Sequence, residues 1–274
     1  MADMPAEPPD VRRIFPSPAR KDMQASIDIN CDMGESHGAC IIGNDAAIMP
    51  LVSSANIACG FHGGDPAVIH RTVRLAQEHG VKLGAHPSYP DRAGFGRREM
   101  AASPQEVYDD MLYQIGGVYA IAKAAGMALH HVKPHGALYN RAARDAETAL
   151  AIVHAVFHFD RGLVLYGPPG SELERSAAAA GIRYYREAFS DRAYEPDGSL
   201  CPRSRPGAVL RDSAAVVRQV SSIVERGMVT AVDGTELPMP ADTICIHGDG
   251  PHAVEFAKAI VEAFKAKGIE IRHP

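Results

Sequence analysis

Short apolar or alternating stretches are separated along this chain by longer segments of helical periodicity. Ser26 to Cys31 (SIDINC) alternates apolar and polar residues, so Asn30 and Asp32 share one face of a predicted strand. Leu51 to Asp65 (LVSSANIACGFHGGD) is an apolar run closed by a histidine, two glycines and the pair Asp65-Pro66, an N-cap followed by proline at the first helical position. It predicts strand, glycine turn and helix, with His62 at the carboxyl end of the strand. Pro66 to His79 has helical spacing and stops at Gly80, and Val81 to Ala85 predicts a strand running into His86, with Lys82, Gly84 and His86 on one face. Ser103, Pro104 and Glu106 form a capping box for a helix reaching Ala125. Leu129 to Lys133 predicts the next strand, and because a residue before proline stays extended, His131, Lys133 and His135 point the same way.

The same alternation continues to the end. Asp145 to Phe159 predicts a helix, Leu163 to Tyr166 a strand, and Ser171 caps a helix ending at Gly181. Ile182 to Glu187 predicts a strand that runs into a long connection, FSDRAYEPDGSLCPRSRPG, which is either a lid or a stretch with structure that the pattern does not assign. Ser213 to Arg226 predicts a helix, Thr243 to Ile246 a strand and Pro251 to Lys267 the last helix, with Ile269 to Ile271 available as a final strand. Helices between successive strands require a parallel sheet, so the class is α/β, with seven βα units. Small or polar residues on one parity, such as Asn56, Ala58 and Gly60, suit a narrow interior and favour a closed barrel over an open sheet. No dinucleotide glycine fingerprint follows the first strand.

Composition narrows the function classes. At 274 residues with 46% hydrophobic content, 25 glycines and 20 prolines, one turn-rich domain over residues 25–274 is expected, preceded by a flexible proline-rich tail at residues 1–24. A net charge of -5 without a basic block gives no footprint for nucleic acid or an anionic membrane, and no apolar run has the length of a membrane span. Five scattered cysteines indicate neither a disulfide framework nor a zinc-thiolate site and fit a reducing cytoplasm.

Chemistry gathers at the predicted carboxyl ends of strands: Asp32 and Glu35; His62 and Asp65; His86; Lys133 and His135; Glu187, Asp191 and Arg192; His247 and Asp249. In a barrel these ends meet on one face. Asp32, His62 and His86 are a possible divalent-metal set, or else a metal-free acid and base cluster. Lys133 suits a phosphate or a developing oxyanion, or pairs with Asp32 or Glu35. His247 and Asp249 read as a base with its orienting carboxylate, or as a turn with Asp249 capping the last helix. Arg192, Arg203 and Arg205 are a candidate clamp for a substrate carboxylate, or a solvated group. No Walker sequence occurs.

The segments INCDMGE, LVSSANIACGFHGGD, GAHPSYPDRAGFGR, HVKPHGALYN, FSDRAYEPDGSLCPRSRPGA and CIHGDGPHA occur in order, and on them the chain from Ile27 to the last helix resembles the LamB/YcsF family, the A subunits of bacterial 5-oxoprolinases. The resemblance implies a distorted seven-stranded parallel β/α barrel, similar to that of polysaccharide deacetylases. It implies ATP-dependent opening of 5-oxo-L-proline to L-glutamate together with partner subunits B and C. On that footing, Lys133 and a Mg²⁺ held by Asp32 and Glu35 would face the phosphates. His62, His86, His135 or His247 would move protons, and the substrate-binding set would be Asn30, Glu35, Asn56, Arg192, Arg203, Ser204 and Asp249. The alternatives are a metal-dependent hydrolase of acetylated sugars or other small amides, liganded by Asp32, His62 and His86, and a non-catalytic partner protein.

Overall fold

The first strand, β1 (Ser26–Met33), is buried almost throughout and shows in its two faces how the molecule is organised. Ile27, Ile29, Cys31 and Met33 enter the main apolar core, while Asp28, Asn30 and Asp32 are buried polar residues on the opposite parity. The structure, a computed structural model, describes residues 26–273; the expected tail at residues 1–24 lies outside the described residues.

Around β1 are β2 (Ser54–Ala58), β3 (Lys82–His86), β4 (Leu129–Val132), β5 (Val164–Gly167) and β6 (Arg183–Phe189), each parallel to its neighbour. The hairpin β7 (Met228–Thr230) and β8 (Glu236–Pro238) stands apart as a two-stranded sheet. Strand β9 (Thr243–Ile246) pairs with both β6 and β1, which closes the seven-stranded barrel, and β10 (Glu270–Ile271) adds a short pairing to the start of β1. The barrel expected from the small interior residues is therefore the one observed.

Helices cover the outside: α1 (Asp45–Ile48), α2 (Pro66–His79), α3 (Pro104–Ala124), α4 (Gly136–Ala142), α5 (Ala146–Phe159), α6 (Glu172–Ala180), α7 (Ser213–Arg226) and α8 (Ala253–Ala266). Asp65 accepts from the Val68 N–H to cap α2, and the Ser103–Glu106 capping box launches α3, as their sequences predict. The apolar core lies between these helices and the outer face of the barrel. Among the described residues no helix is long and apolar enough to cross a membrane.

The barrel interior is polar. Register places Asp32 beside Asn56, Asn56 beside Gly84, and Gly84 beside His131 in one layer. At the amino end of the strands, Asp28 accepts from the hydroxyls of Ser53, Ser54 and Thr243 at 2.6, 2.7 and 2.6 Å, and from Tyr166 at 3.2 Å. Burial pushes this carboxyl up and the four hydroxyls pull it back. Thr243 in turn accepts from Asn30, whose amide also donates to Glu187 at 3.0 Å. A hydrogen-bonded column thus runs from the foot of the barrel to its mouth.

Helices α1 and α4, the 3-10 turn Met49–Leu51 and the β7–β8 hairpin are not visible in the periodicity. The long connection after β6 is not structureless either. It folds on itself through bridges Arg192–Val209 and Tyr194–Leu200 and buries Tyr194, Cys201 and Ala208.

Candidate active site

At the carboxyl ends of the strands, the polar column opens into a cavity of about 790 Å³, a volume within the range of small-ligand sites. Its floor is Lys133, which follows β4 and is buried. The ammonium donates to Asp32 Oδ1 at 2.9 Å and Asn30 Oδ1 at 3.2 Å, contacts Cys245 Sγ at 3.0 Å, and pairs with Glu187 Oε1 at 2.7 Å. Burial works against its charge, but the carboxylates of Asp32 and Glu187 hold it well above the usual lysine value. Asp32 is held well below the carboxylate range: burial alone would raise it, and His86 and Lys133 outweigh that.

Beside this pair lies a cluster of imidazoles. His62 comes from the glycine turn after β2, where Gly63 is required because a Cβ there would stand 2.8 Å from Glu35 O. His86 ends β3 and His135 precedes α4. One side-chain donor atom from each of Glu35, His62, His86 and His135 lies within 4.8 Å of the others, and Asp32, Cys245 and His247 form a second such group. Burial pushes Glu35 up and pushes His62 and His135 well down, so both rings are neutral. His247 forms the third feature, with Nδ1 2.7 Å from Asp191 Oδ1 and its ring stacked on Phe189 at 5.3 Å.

Several expectations are corrected by this geometry. The carboxylate beside His247 is Asp191, not Asp249; Asp249 pairs with Arg97 at 2.6 Å, and α8 takes His252 as its N-cap. Neighbouring strands in a closed sheet determine which residues meet, so a carboxylate two residues along the chain loses to one from the end of β6. Around the set Asp32, His62 and His86 the grouping is wider: Glu35 and His135 cluster with His62 and His86, while Asp32 clusters with Cys245 and His247 and still pairs with His86 Nε2 at 3.3 Å, so Asp32 and Glu35 belong to different groups. Asn30 and Asn56 are buried beneath the floor, where Asn56 donates to Asn30 and Asp32 and accepts from His131, so they position Asp32. Arg192 is buried and donates to Cys201 O and Ala208 O, which fixes its own loop. Arg205 pairs with Glu195, and Ser204 is exposed and not among the cavity-lining residues. Arg203 lines the cavity and makes no hydrogen bond or ion pair with any described residue.

The wall also includes Glu187, one of the strand-end residues read from the sequence, and three residues the sequence did not single out: Arg97, Tyr139 and Arg144. Arg97 and Tyr139 lie inside the segments GAHPSYPDRAGFGR and HVKPHGALYN, so the motif boundaries held the signal although residue type alone did not. The loop carrying Arg97 is tied down by Asp91, which accepts from the Gly94 N–H at 2.9 Å and from Arg98. This presents the carbonyl of Phe95, in a left-handed conformation at φ 55°, to His135 Nε2 at 2.9 Å. Hydrogen bonding from Arg98 draws the Asp91 carboxyl down from the ordinary 3.8 to about 2. A depressed folded value stabilises above the unfolded value and is lost as pH falls through the folded one. The melting-temperature gap between wild type and Asp91→Asn is therefore expected to be constant above about pH 5 and to close toward pH 2, as followed by circular dichroism. A gap independent of pH would contradict this.

Comparison with known proteins places the chain among relatives. The model of the LamB/YcsF family matches residues 27–274. A protein of Symbiobacterium thermophilum, named as the A subunit of 5-oxoprolinase, is 55% identical over 248 residues, covering 90% of this chain and 95% of that protein. Another of the same name from Thermus thermophilus is 55% identical over 246 residues, covering 90% and 98%. The crystal structure of a lactam utilization protein from Thermus thermophilus superposes with a TM-score of 0.86 at 54% identity, covering 91% of this chain and all of that one.

Proposed function

Because the chain belongs to the LamB/YcsF family, we propose that it is the A subunit of a 5-oxoprolinase, opening 5-oxo-L-proline to L-glutamate with cleavage of ATP to ADP and phosphate, in concert with subunits B and C. The observation that carries this reading is the charge plan of the cavity. A buried ammonium is fixed at its floor between two carboxylates, and Arg97, Arg144 and Arg203 stand in its wall. Such a site suits a small acid together with a phosphorylated co-substrate, and the guanidinium groups offer phosphate contacts without a Walker loop.

A five-membered lactam is resonance-stabilised and recloses readily, so its opening needs an activated carbon. In the proposed sequence the lactam oxygen attacks the γ-phosphorus and the bond to the β-phosphate oxygen breaks, releasing ADP. One water adds to the activated carbon, the ring nitrogen accepts a proton and leaves, and a second water converts the resulting acyl phosphate to glutamate and phosphate. Lys133 would oppose charge gathering at the lactam oxygen. His247, with Nδ1–H donated to Asp191, presents Nε2 to take a proton from water or give one to nitrogen. Arg203 is the candidate partner of the substrate carboxylate. Mg²⁺ would enter with the nucleotide phosphates, since Asp32 is engaged by Lys133 and Asn56.

The test is reconstitution of the full chain with its B and C subunits. Glutamate and ADP are expected in equal amounts, each dependent on 5-oxoproline. Glutamate release without nucleotide cleavage would replace the proposal with a nucleotide-independent amide hydrolase, and no release from the complete complex would reject both.

A further inference from the structure

We propose that Glu35, His62 and His86 bind one divalent cation of the zinc class, with the fourth coordination position facing His135. The proposal goes beyond lactam chemistry and stands or falls separately from it. It rests on where each ring keeps its proton. His62 Nδ1 lies 2.9 Å from Ser88 Oγ, and that hydroxyl donates to Tyr89 O at 2.9 Å, so Ser88 accepts and the N–H is on Nδ1 of His62. His86 Nδ1 lies 2.7 Å from Lys133 O, and His135 Nε2 lies 2.9 Å from Phe95 O; a carbonyl only accepts, so both these nitrogens carry the proton.

The second nitrogen of each ring therefore faces inward, toward the other members of the cluster. His62 Nε2 faces Glu35 Oε1 at 3.2 Å, and His86 Nε2 faces both His135 Nδ1 at 2.9 Å and Asp32 Oδ2 at 3.3 Å. Electron-rich atoms at these separations need positive charge between them, either two protons or one dication. The dication is favoured because each imidazole has its outer N–H anchored on an oxygen, the arrangement that fixes tautomer and orientation in metal-binding histidines.

Ring geometry selects the ligands. His62 and His86 meet edge to face at 88° with centroids 5.5 Å apart, close to the separation of about 5 Å that follows for two imidazoles on one tetrahedral ion with metal–nitrogen bonds of about 2.0–2.1 Å. His62 and His135 are stacked at 3.8 Å and 4°, so their lone pairs lie in parallel planes and cannot both meet one ion in plane. His135 is therefore the neighbour of the open position, not a third imidazole ligand. Two imidazoles with a carboxylate select Zn²⁺ or Co²⁺ over Mg²⁺, which prefers oxygen.

The test uses the full chain, stripped by chelation and titrated with Co²⁺ and then Zn²⁺, read by visible absorption and calorimetry, with circular dichroism confirming the fold. One equivalent per chain is expected, with Mg²⁺ unable to displace it. Ser88→Ala, which removes only the acceptor that orients His62, should weaken binding by about 10- to 100-fold, and Glu35→Gln and His62→Ala by more. Cys245→Ser should leave affinity unchanged. Absence of stoichiometric Co²⁺ and Zn²⁺ binding in the folded wild type would overturn the proposal, leaving protons between the donors. Binding that survives Glu35→Gln but is lost in Cys245→Ser would also overturn it and place the ion on Asp32, Cys245 and His247.

Discussion

Replacing Lys133 with alanine is expected to abolish 5-oxoproline-dependent ATP cleavage by the reconstituted complex, a loss of at least about 100-fold on the scale of a single lost oxyanion donor. The same change removes the shared partner of Asp32 and Glu187, both buried and both in contact with the ammonium. Breaking a buried ion pair from one side costs about 3–5 kcal/mol, because the remaining charge has nothing to answer it. Urea unfolding of the isolated chain is thus expected to show a lower midpoint alongside the activity loss. Lys133→Ala/Glu187→Gln removes one of the two stranded carboxylates and should recover part of the stability without recovering turnover. Turnover restored by the double change would take the ammonium out of the chemistry, and near-normal turnover in Lys133→Ala would do so directly.

Gly84→Ala is the second large effect, and it acts on stability. A Cβ built at Gly84 would stand 2.1 Å from Nε2 of His131 and 2.2 Å from its Cδ2. That ring has no room to retreat, being stacked on Tyr166 at 4.1 Å and 10° while donating to Asn56 at 2.7 Å. The destabilisation should lie at or above the upper end of the roughly 1–3 kcal/mol typical of overpacked cores. Pairing it with His131→Ala relieves the collision, so the double variant should be more stable than the sum of the two single changes. Strict additivity in thermal melts would show that the ring is not what excludes the methyl group.

Local chemistry explains which parts of this architecture could be read in advance. Asp65-Pro66 and Ser103-Pro104 announce helix starts because caps act within a few residues. The alternation of Asn30 and Asp32 with apolar neighbours announces a strand with a polar inner face. Helix α4 was hidden because HGALYN is brief and follows a strand end directly, and the β7–β8 hairpin because each strand has three residues. The gathering of Asp32, His62, His86, Lys133 and His247 at strand ends was legible, since a parallel barrel brings all such ends to one mouth. Their pairings were not. Asp191 reaches His247 between the neighbouring strands β6 and β9, and Glu187 reaches Lys133 across the barrel interior; both follow from closure of the sheet, which has no signature in local spacing. Arg192 looked like a substrate clamp, yet its guanidinium fastens Cys201 and Ala208.

The polar column inside the barrel has a consequence for how such a protein can change. Hydrophobic interiors accept many sequences of similar bulk, whereas matched donors and acceptors accept few. Ser54, Asn56 and Thr243 contribute to the same lattice of partners as the reactive groups above them, so drift at the base cannot be independent of chemistry at the top. Laboratory evolution toward other lactams would find its permissive positions at exposed points of the rim such as Arg203 and Ser204, and not at the buried residues that fasten the connection after β6.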